Sequence, residues 1–160
     1  MDSATRLDDH ATAEREVGLS LEYDAALPLA PNPFLLWNTF LGGSGVDEAQ
    51  DVAVDVAGNI YVVGSSPVSW GAPVTPHHSN NLNDAFVAKL SRDGALLWHT
   101  FVGGSGQEDG LAIAVDGSGN TYITGTSNAT FGLPIRPFAG IEDAFVVKLA
   151  DSNGFCGHLR

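Results

Sequence analysis

The same pattern of residues occurs twice in this chain. Residues 37–66 read WNTFLGGSGVDEAQDVAVDVAGNIYVVGSS and residues 98–127 read WHTFVGGSGQEDGLAIAVDGSGNTYITGTS, with an offset of 61 residues, no gap and 15 of 30 positions identical. A shorter pair follows, DAFVAKL at 84–90 and DAFVVKL at 143–149. Repetition over so long a period indicates an array of equivalent supersecondary units, which bury their apolar faces against one another.

Each copy predicts short strands separated by turns. The strands expected in the first copy are 51–55, 60–64, 84–90 and 95–101, and those expected in the second are 112–116, 121–125 and 143–149. The first turn reads Asp55-Val-Ala-Gly-Asn59, and its copy reads Asp116-Gly-Ser-Gly-Asn120. Asp starts such turns and Gly supplies a positive φ, so Asp55 and Asp116 are interpreted as turn caps. The alternative is that they are metal or substrate ligands.

Several of the expected strands are nearly continuous apolar runs, which suit strands covered on both faces. Sheets stacked around an axis, as in a β-propeller, provide that environment. The predicted fold class is therefore all-β, with β-propeller-type repeats in two four-stranded blades at 48–102 and 109–160. The second blade lacks a clear outer strand, and its tail, 155–160, is expected to be irregular. Residues 1–33 are rich in Asp, Glu and Ala and end in a proline cluster, which predicts a flexible, mostly disordered acidic arm.

The two ends of the repeat region differ from a complete blade. The segment 34–41 (FLLWNTFL) matches the expected fourth strand at 95–102, whereas the residues after Gly154 contain no Trp-x-Thr-Phe. An outer-strand segment at 34–41 could complete the second blade of a neighbouring chain, and three or four chains joined head to tail would close a ring of six or eight blades. The alternative interpretation is a truncated fragment of a longer array, without independent function.

Charge and composition narrow the range of partners. The formal net charge is −12, of which residues 1–33 contribute −5. Phosphate binding needs clustered Lys and Arg, so we expect no binding to nucleic acid. The sequence has no apolar run long enough to cross a bilayer, so no membrane insertion is expected. The N-terminal residues do not resemble a signal peptide, and the single cysteine, Cys156, allows no intrachain disulfide.

Three motifs occur in order, and they carry a family resemblance. They are Trp-x-Thr-Phe-x-Gly-Gly-Ser-Gly, Ala-Val-Asp-x-x-Gly-Asn-x-Tyr-x-x-Gly and Asp-Ala-Phe-Val-x-Lys-Leu. Over residues 34–154 the chain resembles the bacterial β-propeller repeat family called SBBP, and the hairpin VAVDVAGNIYV is also similar to NHL-type blades. The resemblance implies a propeller used for binding or display, an extracellular or cell-envelope location, and no defined set of catalytic residues.

The loops between the second and third strands, at 67–83 and 128–142, are the candidate binding sites. Framework residues keep their spacing here while length and chemistry vary, and loops on rigid scaffolds usually carry specificity. Trp70 and Phe131 are candidate ligand-binding aromatics, with packing inside the loop as the alternative. His77 and His78 are weak candidate ligand-binding residues. Adjacent side chains point in opposite directions in an extended segment, so we expect no metal site there.

The predicted function is a non-enzymatic β-propeller repeat module for binding or scaffolding, within a larger or oligomeric propeller. A protein or polysaccharide ligand and self-association through open blades are the expected partners, and no cofactor or catalytic residue is expected. The alternatives are a propeller that acts on extracellular polymer, as a hydrolase, lyase or accessory module, and the truncated fragment.

Overall fold

All regular structure in the described part of the chain is β-strand, arranged as two antiparallel sheets. The computed structural model describes residues 35–79 and 81–151. The first blade consists of β1 (Glu48–Val54), β2 (Ile60–Ser66), β3 (Asp84–Leu90) and β4 (Leu96–Val102), paired in that order. The second blade consists of β5 (Glu108–Val115), β6 (Thr121–Ser127) and β7 (Asp143–Leu149). Four strands in one sheet and three in the other confirm the predicted fold class. The predicted arm, 1–33, and tail, 155–160, lie outside the described residues.

The first strand of each blade begins earlier than the sequence predicts. β1 starts at Glu48 and β5 at Glu108, three and four residues before the expected positions. In both strands the register shifts at a bulge, between Ala49 and Asp51 and between Gly110 and Ala112. At a bulge, two residues of one strand lie opposite a single residue of its partner, which interrupts the alternation of apolar and polar residues. The acidic residues at the start of β1 and β5 therefore look like a loop in the sequence.

The turns after β1 and β5 are built by their Asp side chains. Asp55 Oδ1 accepts hydrogen bonds from the backbone N–H groups of Ala57 and Asn59, and its Oδ2 accepts from the Asn59 amide and the Tyr61 hydroxyl. Asp116 makes the same four contacts in the second blade. Gly58 and Gly119 both have φ +83°, a conformation that glycine adopts without steric cost. The turn-cap interpretation of both Asp residues is therefore correct.

The two blades stack face to face, and we call this contact the junction. The buried residues of the junction are Tyr61, Val63, Ala85, Val87 and Val102 from the first blade and Ile113 and Ile123 from the second. Because the second blade uses the face opposite to the one that the first blade uses, each blade keeps one face outside the junction. Polar contacts fix the alignment: Ile113 N–H donates to Asp51 Oδ2 over 2.9 Å, and Lys89 Nζ donates to Asp151 Oδ2 over 3.0 Å.

Residues 35–41 form no strand in the described part of the chain. Leu35, Leu36 and Phe40 are 80%, 88% and 92% exposed. The segment predicted as an outer strand, 34–41, therefore has no partner strand within the described residues.

The structure contains no helix among its described residues that is long and apolar enough to span a bilayer.

Candidate functional site

Trp70 lies in the core of the first blade, which corrects its interpretation as an exposed binding aromatic. Its side chain is 8% exposed and belongs to a second apolar cluster with Phe86, Ala88 and Phe101, on the face away from the junction. Its ring meets Phe86 edge-on, with 5.6 Å between ring centroids. A ligand could reach this indole only by displacing the loop, so packing within the loop, the alternative interpretation, describes Trp70.

The loop 67–83 is fastened to the outer strand β4. Val74 N–H donates to the His99 carbonyl over 2.9 Å, and Phe101 N–H donates to the Thr75 carbonyl over 3.1 Å. The Thr100 hydroxyl accepts a further hydrogen bond from Thr75 N–H. The loop therefore covers the edge of β4 that would otherwise present unpaired backbone groups.

His77 and His78 anchor this loop. The His77 side chain is 5% exposed, and its Nε2 bonds the Ser66 and Leu82 carbonyls at 3.1 and 3.2 Å. Because carbonyl oxygens only accept, Nε2 carries the proton. His78 N–H donates to Asp84 Oδ2 over 2.6 Å, and its ring is 44% exposed. In 35–79 and 81–151, no group of three or more His, Cys, Asp or Glu residues is placed to hold a metal ion.

The equivalent loop of the second blade, 128–142, is exposed. Phe131 is half-buried and contacts Phe145 edge-on at 5.3 Å, as Trp70 contacts Phe86. Leu133, Ile135 and Ile141 are 101%, 103% and 94% exposed. Sequence patterns pointed to Phe131 but not to these three aliphatic residues. Val74, which matches Ile135 in the first blade, is also exposed, at 76%, so the apolar composition of the loop itself was the available signal.

The exposed loop has the same backbone form as the packed one. Gly71 and Gly132 both have φ +58°. A Cβ placed on Gly71 would lie 3.0 Å from the His99 ring, whereas nothing lies within 4 Å at Gly132. Ala139 N–H donates to Asp143 Oδ2 over 2.7 Å, as His78 N–H donates to Asp84. The loop 128–142 is thus already shaped to face an outer strand.

Two carboxylates, Asp84 and Glu108, both lie beside Gly103, and both are fully buried. Glu108 accepts from Gly104 N–H over 2.8 Å and from the Ser127 hydroxyl over 2.6 Å. A Cβ on Gly103 would lie 2.5 Å from Glu108 Oε2 and 3.1 Å from Asp84 Oδ1. Paired carboxylates beside histidines are the pattern of acid–base catalysis. Here both groups hold loops closed, since Asp84 accepts from His78 N–H and Glu108 accepts from Gly104 N–H and the Ser127 hydroxyl.

A polar cleft of about 230 Å³ separates the two Asp turns, with Asp55, Asp116, Lys89 and Asp151 in its walls. Burial raises the pKa of Asp55, but the hydrogen bonds from Asn59, Ala57 and Tyr61 outweigh it and the pKa lies below its ordinary value. The Asn120 amide is the main cause that lowers the pKa of Asp116. Burial opposes the charge of Lys89, yet its contacts with Tyr61 and Asp151 raise its pKa. These carboxylates are engaged by the protein itself.

Comparison with known proteins agrees with the geometry. Residues 36–68 and 97–132 each match the family model of the SBBP β-propeller repeat. Each match covers a Gly-rich loop and the hairpin that follows it, β1–β2 in the first match and β5–β6 in the second, and the second match also includes most of β4. No curated protein matches the chain. Two sequence matches, placed on two stacked antiparallel sheets, show that this chain carries two repeats of the SBBP β-propeller type.

Proposed function

We propose that this chain is a non-enzymatic binding or scaffolding module that associates with further blades through its free surfaces. The observation that carries the proposal is the junction, where one face of the first blade covers the opposite face of the second. Each blade therefore leaves exposed the face whose equivalent is buried in the other blade. Stacking can continue at both ends by the contact already present between the two blades.

The free faces are apolar and open. The free face of the first blade includes Val52 and Val54, which are 58% and 59% exposed. The free face of the second blade includes Val146 and Tyr122, which are 74% and 36% exposed. Apolar side chains gathered on one sheet face mark interaction surfaces in soluble proteins. Another blade of the same kind is the partner that the junction indicates.

A contact between two copies would be weaker than the junction. At the junction, the Asn83 amide donates to Asp109 Oδ1 over 3.1 Å. In the repeat, Glu142 takes the place of Asn83 and Glu48 takes the place of Asp109, so two acidic side chains meet. Ala112 replaces Asp51 and offers no carboxylate to a neighbouring N–H. We therefore expect association of identical chains to be strengthened by salt, which screens like charges.

Light scattering on the purified chain tests the proposal. We expect the mean mass to rise with protein concentration, and to rise further at higher salt. Val54→Glu and Val146→Glu each place a charge on a free face and should lower the association. Val56→Glu is the matched control, because Val56 is 96% exposed in a turn. A folded monomer at every concentration, with all three variants identical to the unmodified chain, would contradict the proposal.

The loop 128–142 is the surface that we assign to a protein ligand, and a second copy of the chain is one such ligand. Its exposed Leu133, Ile135 and Ile141 offer apolar contact, and Arg136 adds a charged donor. The non-enzymatic part of the proposal is supported by the burial of Asp84 and Glu108, which keeps this carboxylate pair away from any substrate.

A further inference from the structure

We propose that the outer edge of β7, together with loop residues 133–138, is a binding slot for residues 35–41 of a second copy of this chain. This inference rests on the proposed association of blades and names its partner segment and register. Within the described residues, β7 pairs with β6 on one side and with no strand on the other.

The occupant is indicated by the residues that fill the equivalent position in the first blade. There, β4 pairs with the outer edge of β3. β4 reads LLWHTFV and residues 35–41 read LLWNTFL, so five of the seven positions are identical. β3 and β7 read DAFVAKL and DAFVVKL. The same edge and the same incoming strand are thus both present in one chain, but only the first blade combines them.

The second wall of the slot is the loop. In the first blade, β4 lies between β3 and residues Val74 and Thr75, which bond its backbone on the far side. Ile135 and Arg136 occupy these loop positions in the second blade. Ile135 is 103% exposed, whereas Val74, which lies beside β4, is 76% exposed. An inserted strand would acquire hydrogen bonds on both edges, which is the basis of recognition by strand addition.

Aromatic side chains supply the floor of the slot. Phe101 of β4 meets Trp70 at 6.1 Å and His77 at 5.3 Å, both edge-on. Phe40 matches Phe101 in sequence and is 92% exposed. The slot offers Phe131 and Phe138 in place of Trp70 and His77, and insertion of Phe40 would bury three aromatic rings together.

The register follows from the first blade. Val87 pairs with Thr100 and Phe86 pairs with Phe101. By equivalence, Val146 is opposite Thr39 and Phe145 is opposite Phe40 in the complex. A shift of one residue would turn Phe40 out of the slot, because successive side chains of a strand point to opposite faces. The register is therefore specific enough to be tested by cross-linking.

Cysteine cross-linking between chains is the deciding experiment, in a Cys156→Ser background that leaves only introduced thiols. Chains carrying Thr39→Cys are mixed with chains carrying Val146→Cys under mild oxidation, and the disulfide-linked heterodimer is measured. Directly opposed strand residues lie within disulfide distance. The matched control replaces Thr39→Cys by Asn38→Cys, whose side chain points to the other face. We expect about tenfold more heterodimer from the Thr39 mixture.

Equal yields from the two mixtures, or no heterodimer, would overturn the proposed slot. A peptide of residues 34–42 gives a second readout on the unmodified chain: its labelled form should bind saturably, and its Phe40→Asp form should not. Absence of peptide binding also contradicts the slot. If light scattering shows association but neither cross-linking nor peptide binding is found, the proposed stacking of blades is supported and the proposed slot is refuted. If the mass never rises with concentration, the proposed function fails as well.

Discussion

The indole of Trp70 lies flat on the imidazole of His99, with 3.8 Å between ring centroids and 4° between ring planes. His99 Nε2 donates a hydrogen bond to the Trp70 carbonyl over 2.7 Å, so the loop is held to β4 by both ring and backbone. His99 is 2% exposed. This pair joins the variable loop to the outer strand and places Trp70 in the core.

Trp70→Ala should therefore destabilise the protein strongly. The substitution removes a ring that contacts His99, Phe86 and Phe101, and large-to-small changes of buried aromatics cost about 3–5 kcal/mol. Urea denaturation followed by circular dichroism measures the loss. Phe131→Ala is the matched control at the equivalent position, where the half-buried ring has fewer partners, and we expect a clearly smaller loss. Equal losses would contradict the difference in packing.

Gly110 lies where β5 approaches the first blade too closely for a side chain. A Cβ there would lie 2.7 Å from Val63 Cγ2 and 2.9 Å from the Gly64 carbonyl oxygen. Gly110→Ala should push the blades apart and lower the free energy of unfolding by about 1–3 kcal/mol, as overpacking does. Gly117→Ala serves as the control, because nothing lies within 4 Å of its Cβ position. Equal denaturation midpoints for the two variants would refute this account of the junction.

The ion pair of Lys89 and Asp151 should contribute measurably to the junction. Their side chains are 7% and 8% exposed, so Lys89→Met leaves a shielded carboxylate without its partner. We expect a loss of about 2–3 kcal/mol in the free energy of unfolding. Adding Asp151→Asn should restore part of it, which a double-mutant cycle would show. Lys148→Met changes the equivalent but exposed lysine and should have a smaller effect. Additive losses at Lys89 and Asp151 would mean that the pair is not coupled.

The two Asp turns should make the fold sensitive to acid. Because the pKa values of Asp55 and Asp116 are below 3.8 in the folded chain, these groups stabilise it fully above the pKa of the unfolded chain. That stability is lost as the pH falls below about 4 towards the folded pKa values. Urea midpoints at pH 7 and pH 3 measure the change. The double variant Asp55→Asn and Asp116→Asn should lose less stability between these pH values, and an unchanged difference would disprove the assignment.

Much of the local structure can be predicted from the sequence, because it depends on short-range chemistry. β3 and β7 have the predicted bounds, and the turns at Asp55 and Asp116 form as their residues indicate. The early starts of β1 and β5 could not be predicted, since a bulge is recognised only from the partner strand. The roles of Trp70 and His77 also depend on distant residues, namely β4 and the carbonyls of Ser66 and Leu82.

The sequence by itself determined the repeat, the turns, the bounds of β3 and β7 and the match to the SBBP repeat, since each of these depends on residue types within a short span. Only the tertiary structure decided which equivalent residues are buried. β3 and β7 are nearly identical in sequence, yet every residue of β3 is buried, while β7 alternates between half-buried and exposed. Val87 is 0% exposed and its equivalent, Val146, is 74% exposed. The reason is that the burial of a strand depends on what packs against it. The second blade and the loop with Trp70 cover β3, whereas one face and one edge of β7 are uncovered within the described residues.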